Sequence, residues 1–120
     1  MIGTYSVEAR EGLRRTIAEA IVNKVARARG SMVTIRLRDL AIYANTSLAN
    51  RIRSAYEHNP LSLTFTASQF NHMMGRLVKA GIVHRINGAY IIDKDSPIWG
   101  LAKADSSKAI GELLTLLTPT

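Results

Sequence analysis

Between residues 66 and 92 the spacing of apolar positions changes once. Phe70, Met73, Met74, Leu77 and Val78 recur at i, i+3, i+4, i+7 and i+8, which is one stripe of a helix over 66–80. Thr66 stands before that run as an N-cap, and Gly81 stands after it, where a left-handed residue closes a helix without strain. The period then falls to two. Residues 82–86 and 89–92 are short β-type runs, and Asn87-Gly88 between them supplies the two positive-φ residues of a type I′ hairpin turn.

The flanking sequence predicts further elements by the same rules. After a lead-in of residues 1–5, Ser6 caps a long helix with Glu8 in its first turn and Gly30 as its stop. Leu13, Ile17, Ile21 and Val25 form its stripe, and Ala20 and Ala28 permit close approach. At about 24 residues it is longer than a small domain needs, so its surplus serves a partner chain or packs internally. Residues 33–36 read as a strand, and 37–44 as a short helix with Leu37, Leu40 and Ala41 inward. Ser47 caps a helix over 47–58, ended by Asn59-Pro60. Past the hairpin come a polar linker (93–97), an apolar patch (98–101) and a last helix, capped by Ser106 or Ser107 and running to Leu117. The fold class is mainly α with a small three-stranded sheet built on the hairpin (α+β), with a long N-terminal helix and an extra C-terminal one.

Charge sharpens this division. The 120 residues carry a net charge of +7, with a pI near 10.3, which points to a polyanionic partner. Residues 1–92 hold 13 Lys/Arg against 5 Asp/Glu, whereas residues 93–120 hold 3 against 4. Residues 1–92 therefore read as the binding domain, and 93–120 as a linker and helix of another purpose. Ala109, Ile110, Leu113, Leu114, Leu116 and Leu117 give that last helix a face wider than one small core absorbs. It packs on the first helix of its own chain or pairs across a homodimer, and a basic head with a neutral apolar tail favours the dimer.

The order of amphipathic helix, glycine and tight hairpin over 66–92 resembles the recognition helix and wing of winged helix-turn-helix proteins. A looser likeness extends over residues 6–92, with strand 33–36 joining the hairpin. A second likeness lies in Leu40-Ala41-Ile42-Tyr43-Ala44-Asn45-Thr46-Ser47, similar to the L-A-x-x-A-G-x-S core of helix-turn-helix repressors, with Asn45 in place of glycine. Helix 47–58 departs from that pattern, because Arg51 falls at a core position and Ile52 is one position late. Two helices, 47–58 and 66–80, thus compete as reader, and the wing directly after the second favours it.

The resemblance assigns roles. Opposite the stripe of 66–80 lie Ser68, Gln69, His72, Gly75, Arg76 and Lys79, and no acid occurs between 66 and 92. Such groups donate to phosphate oxygens and read base edges in a major groove, whereas a merely solvated helix mixes its signs. The wing residues Arg85 and Asn87 are expected along the backbone or minor groove. Arg36, Arg38, Arg51, Arg53 and the first helix's arginines are expected on phosphates.

Other chemistries find little purchase. There is no cysteine, hence no disulfide and no thiolate metal site. His58, His72 and His84 are dispersed, and no H-E-x-x-H, nucleophile elbow or phosphate loop occurs, so neither catalysis nor a metal or cofactor is expected. Nothing reads as a signal peptide or membrane span, and the only Trp, Trp99, lies outside the basic region. The expectation is an intracellular, dimeric transcription regulator bound to double-stranded DNA. The alternatives are an architectural, chromatin-type protein of low sequence preference and a winged-helix docking module of a larger assembly.

Overall fold

The computed structural model describes residues 2–43, 49, 52–53 and 60–118, with side chains described from 11 to 43, at 49, 52 and 53, and from 67 to 118. It is mainly helical with one small antiparallel sheet. Helix α1 spans Ile2–Arg27. It starts earlier than expected, and Ser6 lies inside it rather than at its cap. A serine costs an early helical turn only a few tenths of a kcal/mol, no proline opposes the extra turn, and Gly3 sits in the first turn, where its cost is at most about 1 kcal/mol. The helix also ends before Gly30, in a turn where the Ala28 amide donates to the Val25 carbonyl at 3.1 Å.

From Leu13 onward α1 is the central element. Leu13, Ile17, Ile21 and Val25 are buried as their spacing predicts, and so are Thr16, Ala18, Ala20 and Val22. At about 100° per residue these positions cover well over half of the circumference. From Leu13 to Val25 the helix is therefore used inside the chain. Buried Thr16 returns its hydroxyl to the Gly12 carbonyl at 2.8 Å, which satisfies it without a tertiary partner.

Strand β1 (Met32–Ile35) leads into a 3-10 helix at Leu37–Ile42, tighter than the α-helix expected there. Lys24 and Asp39 pin this junction. The Lys24 ammonium donates to the Thr34 carbonyl (2.8 Å) and to Asp39 Oδ2 (2.9 Å), and the same oxygen accepts from the Arg36 amide (2.8 Å). Leu37 and Leu40 point inward as expected. Of the predicted helix 47–58, Ala49, Ile52 and Arg53 are helical. Ala49 and Ile52 are buried. The remainder, Arg51 included, lies outside the described residues.

Helix α2 spans Pro60–Lys79, and Thr66 is interior to it. The early start has a simple cause. Proline at the first position of a helix lacks only an N–H that would have no partner there, so Pro60 opens this helix as readily as it would close another. Its stripe is buried through Phe70, Met73, Met74 and Leu77, and Val78 lies at the exposed margin. Gly81 closes it at φ +77°, with the Ile82 amide donating to the Leu77 carbonyl (2.9 Å) and the Gly81 amide to Val78 (3.0 Å). These two bonds make a Schellman motif, and buried Ile82 and Leu77 are its customary apolar pair.

The hairpin consists of β2 (His84–Ile86) and β3 (Ala89–Asp93), with Asn87 at φ 51° and Gly88 at φ 81°. Both positive values are those of the type I′ turn that the dipeptide predicts. β1 joins on the other side of β3, giving the order β1-β3-β2, so Tyr90 faces Ile35 on one neighbour and Arg85 on the other.

The tail differs from its expected form. Residues read as linker and patch form helix α3 (Pro97–Ala104), and helix α4 (Ser106–Leu117) follows after one residue. Ser96 caps α3. Its hydroxyl accepts from the Ile98 amide and donates to the Ile82 carbonyl at 2.7 Å, tying the helix start to the end of the α2 turn. Asp105, rather than Ser106 or Ser107, caps α4. It accepts from the Lys108 amide at 3.1 Å, while its own amide donates to Leu101 at 2.7 Å and ends α3. Of the two destinations open to α4, it takes α1 of its own chain. Ala109, Leu113 and Leu117, with Trp99 and Ala102 of α3, share one core with Leu13, Ile17 and Leu77.

Candidate functional site

A helix can present a face only if its other side is fixed, and α2 is fixed twice. Its stripe sits in the core, and its middle is locked to the hairpin. Phe70 meets Tyr90 edge to face, with ring centroids 5.6 Å apart at 83°. The Tyr90 hydroxyl donates to Asn71 Oδ1 at 2.7 Å. An edge-to-face pair contributes about 0.5–1.5 kcal/mol beyond its buried area. The Arg85 guanidinium lies over the Tyr90 ring, 5.3 Å from its centroid. Helix α2 and the hairpin are therefore one unit with a set angle between them.

The outward face of that unit carries most of the predicted residues. Ser68, His72 and Lys79 of α2 are exposed, and so are Arg85 and Asn87 of the hairpin. Gln69 and Arg76 are half-buried. With Ser68 and His72 they line a cleft of about 310 Å³, to which α1 contributes Arg14 and α4 contributes Leu117. A broader depression continues from it past His72 and Arg76 to Lys79, edged by Leu116 of α4. The end of α4 thus borders the face on which base-reading groups were expected.

The other predicted cations sit apart. Arg36 and Arg38 are exposed at the junction of β1 and the 3-10 helix. Arg36 follows β1 directly, and β3 separates β1 from β2, which places Arg36 about two strand spacings of ~4.8 Å from the strand that carries Arg85. Arg53 is exposed, and Arg51 lies outside the described residues. His84 is also exposed, with Nε2 3.7 Å from Asp93 Oδ2 across the hairpin.

Four residues of this region are not marked by the sequence as part of it. Asn71 was overlooked because its partner Tyr90 is 19 positions away, beyond any local pattern. Leu117 is a core residue as expected and also lines the cleft, and Leu116 edges the broader depression beside α2. Arg14 counted among the scattered first-helix arginines, yet its Nε is sealed from solvent with no hydrogen-bond partner among the described residues.

No group of three or more His, Cys, Asp or Glu gathers as a metal site among the described residues, and no described helix is long and apolar enough to cross a membrane. Comparison with protein-family models, with curated proteins and with solved structures finds no match to this chain.

Proposed function

We propose that this chain is a DNA-binding protein of the winged helix-turn-helix kind, with α2 as the helix that faces the major groove and the β2–β3 hairpin as the wing. The observation that carries this reading is the locked α2–hairpin unit. Its outward side holds Ser68, His72, Lys79, Arg85 and Asn87 in solvent, and its sequence has no acid from 66 to 92. The strand order β1-β3-β2 supports the same reading, because it joins strand 32–35 to the wing as the resemblance expects.

In this mechanism Lys79, Arg85, Arg36 and Arg38 neutralise phosphates and release counterions, and that release supplies most of the affinity. His72, Ser68, Gln69 and Arg76 meet base edges. A good bidentate pair there is worth about 1–3 kcal/mol of discrimination. The apolar face of α4 is used within the chain, so the form we propose is a monomeric reading head. Sedimentation at tens of micromolar tests that form, and a stable dimer contradicts it.

A second reading, low-specificity coating of DNA, draws on one observation. The two side chains best suited to bidentate readout, Gln69 and Arg76, are half-buried beside α4, while the phosphate-type cations Lys79, Arg85, Arg36 and Arg38 are exposed. Selection from a randomised duplex pool, followed by mobility shifts on selected and random duplexes at two salt concentrations, separates the two. A regulator enriches a motif, and Gln69→Ala and Arg76→Ala erase the preference. A coating protein enriches none and binds both pools alike. No shift of either pool at low salt refutes both readings.

A further inference from the structure

The cleft at the meeting of α1, α2 and α4 gathers cationic and polar groups against an apolar wall. Two guanidinium-bearing residues, Arg14 and Arg76, line it together with the imidazole of His72, the amide of Gln69 and the hydroxyl of Ser68. No acidic side chain is among the described lining residues. Its apolar wall is Met73 and Leu117, both buried. The Arg14 Nε is withdrawn from solvent and has no hydrogen-bond partner among the described residues. A buried donor on a charged group without an acceptor is uncommon and costly, and an ordered water or a bound anion is what completes such a group. The volume, about 310 Å³, is at the lower limit of small-molecule sites, which combine an apolar wall with a few convergent polar groups.

We infer that this cleft is a binding site for a small organic anion, a carboxylate carried on a short apolar body. Arg14 donates to the carboxylate from the floor, and Arg76 donates from the rim. A planar fork-to-carboxylate pair is the geometry that arginine favours over lysine. Met73 and Leu117 cover the apolar body, while Gln69 and Ser68 fix its orientation. The site stands on the cleft geometry alone. Its consequence for DNA rests on the proposed reading. Four of the lining residues, Ser68, Gln69, His72 and Arg76, are also the base-reading set, so an occupied cleft and a bound duplex exclude each other.

The test titrates the isotope-labelled full chain, free of DNA and at constant chloride, with benzoate. Benzyl alcohol serves as the neutral counterpart, and inorganic phosphate as an anion without the apolar body. Benzoate is expected to give saturable amide shifts at Arg14, Gln69, His72 and Arg76. Benzyl alcohol and phosphate are each expected to bind at least about tenfold more weakly. Arg14→Met keeps the length of the stem, removes the unpartnered donor and is expected to lower benzoate affinity by at least about tenfold without lowering the melting temperature. Arg76→Met, on the rim, is the second variant and is expected to weaken benzoate in the same direction. Benzoate that fails to saturate overturns the site, as does benzyl alcohol binding equally well or an unchanged affinity in both variants. Phosphate binding as tightly as benzoate overturns the organic body. A chain that binds benzoate but no duplex keeps this site and loses the DNA reading. A chain that binds duplex but no benzoate does the reverse.

Discussion

The helix–hairpin unit and the C-terminal helix pair are made of similar materials and are used in opposite ways. Each closes its backbone with a defined motif, Gly81 for α2 and Ser96 and Asp105 for α3 and α4. Each lays an apolar face on the α1 core. The first carries a single acid, Asp93 at the end of β3 beside His84, and none from 66 to 92, while the second balances Asp105 and Glu112 with Lys103 and Lys108 and sends Trp99, Ala109, Leu113 and Leu117 inward. Lys103 even returns to the end of α1, donating to the Ala28 carbonyl at 3.0 Å with its ammonium 5.4 Å from the Trp99 centroid. One region presents charge, and the other holds the presenting region in place. An apolar stripe alone does not tell these uses apart. The balance of charge on the remaining face does.

The sharpest way to break this comparison is to remove the second region. Truncation after Asp95 uncovers α1 and deletes Trp99, Leu113 and Leu117 from the core. Each large apolar side chain contributes about 1.5–3 kcal/mol when buried, against a total stability of about 5–15 kcal/mol. The truncated chain is therefore expected to lose its cooperative thermal transition by circular dichroism. A sharp transition near that of the intact protein would make the tail an accessory instead. Leu113→Ala is the graded version. It is expected to cost about 2–5 kcal/mol in urea titration and to leave the DNA affinity of the folded fraction unchanged.

Within the presenting region the effects are smaller and more local. Gly88→Val places a β-branched residue at φ 81° and is expected to cost about 1–2 kcal/mol, seen as faster amide exchange in β2 and β3 with α2 protected. Uniform exchange across the chain would mean that the hairpin is not a separable wing. Tyr90→Phe removes only the hydroxyl that reaches Asn71 and keeps the ring against Phe70. A loss of about 0.5–1.5 kcal/mol is expected, and no change in denaturation midpoint would mean that this bond does not hold the joint.

Legibility along the chain followed the strength of local punctuation. Gly81 and Asn87-Gly88 have few alternative uses, and the α2 C-terminus and hairpin turn were read to the residue. Proline has two uses at a helix boundary, closing one helix or opening the next, and Pro60 and Pro97 both open one. Ser96-Pro97 before an apolar run is a start signal, but the charged residues 93–95 disguised it as linker. The wide burial of α1 was half legible. Leu13, Ile17, Ile21 and Val25 mark one stripe and Ala20 a close approach, whereas the burial of Thr16 and Ala18 depends on elements distant in sequence, which no local pattern encodes. At the candidate site the sequence supplied the residues of the α2 face but not the border that α4 makes. It also gave no sign that Arg14 is sealed beside Arg76.

The measurement closest to the central claim is the salt dependence of duplex binding by the intact chain and by the Lys79→Ala/Arg85→Ala double variant. Both side chains are exposed, and the variant gives up only the contact of Arg85 with the Tyr90 ring, about 0.5–1 kcal/mol, so it is expected to stay folded under the conditions of the assay. The parent is expected to bind duplex DNA with an affinity that falls steeply as salt rises. The double variant should show a slope of log affinity against log salt shallower by about 1.8, roughly 0.9 for each phosphate contact removed. A folded parent that binds no duplex at low salt, or a variant whose slope equals the parent's, would contradict the assignment of α2 and the hairpin as the DNA-facing unit.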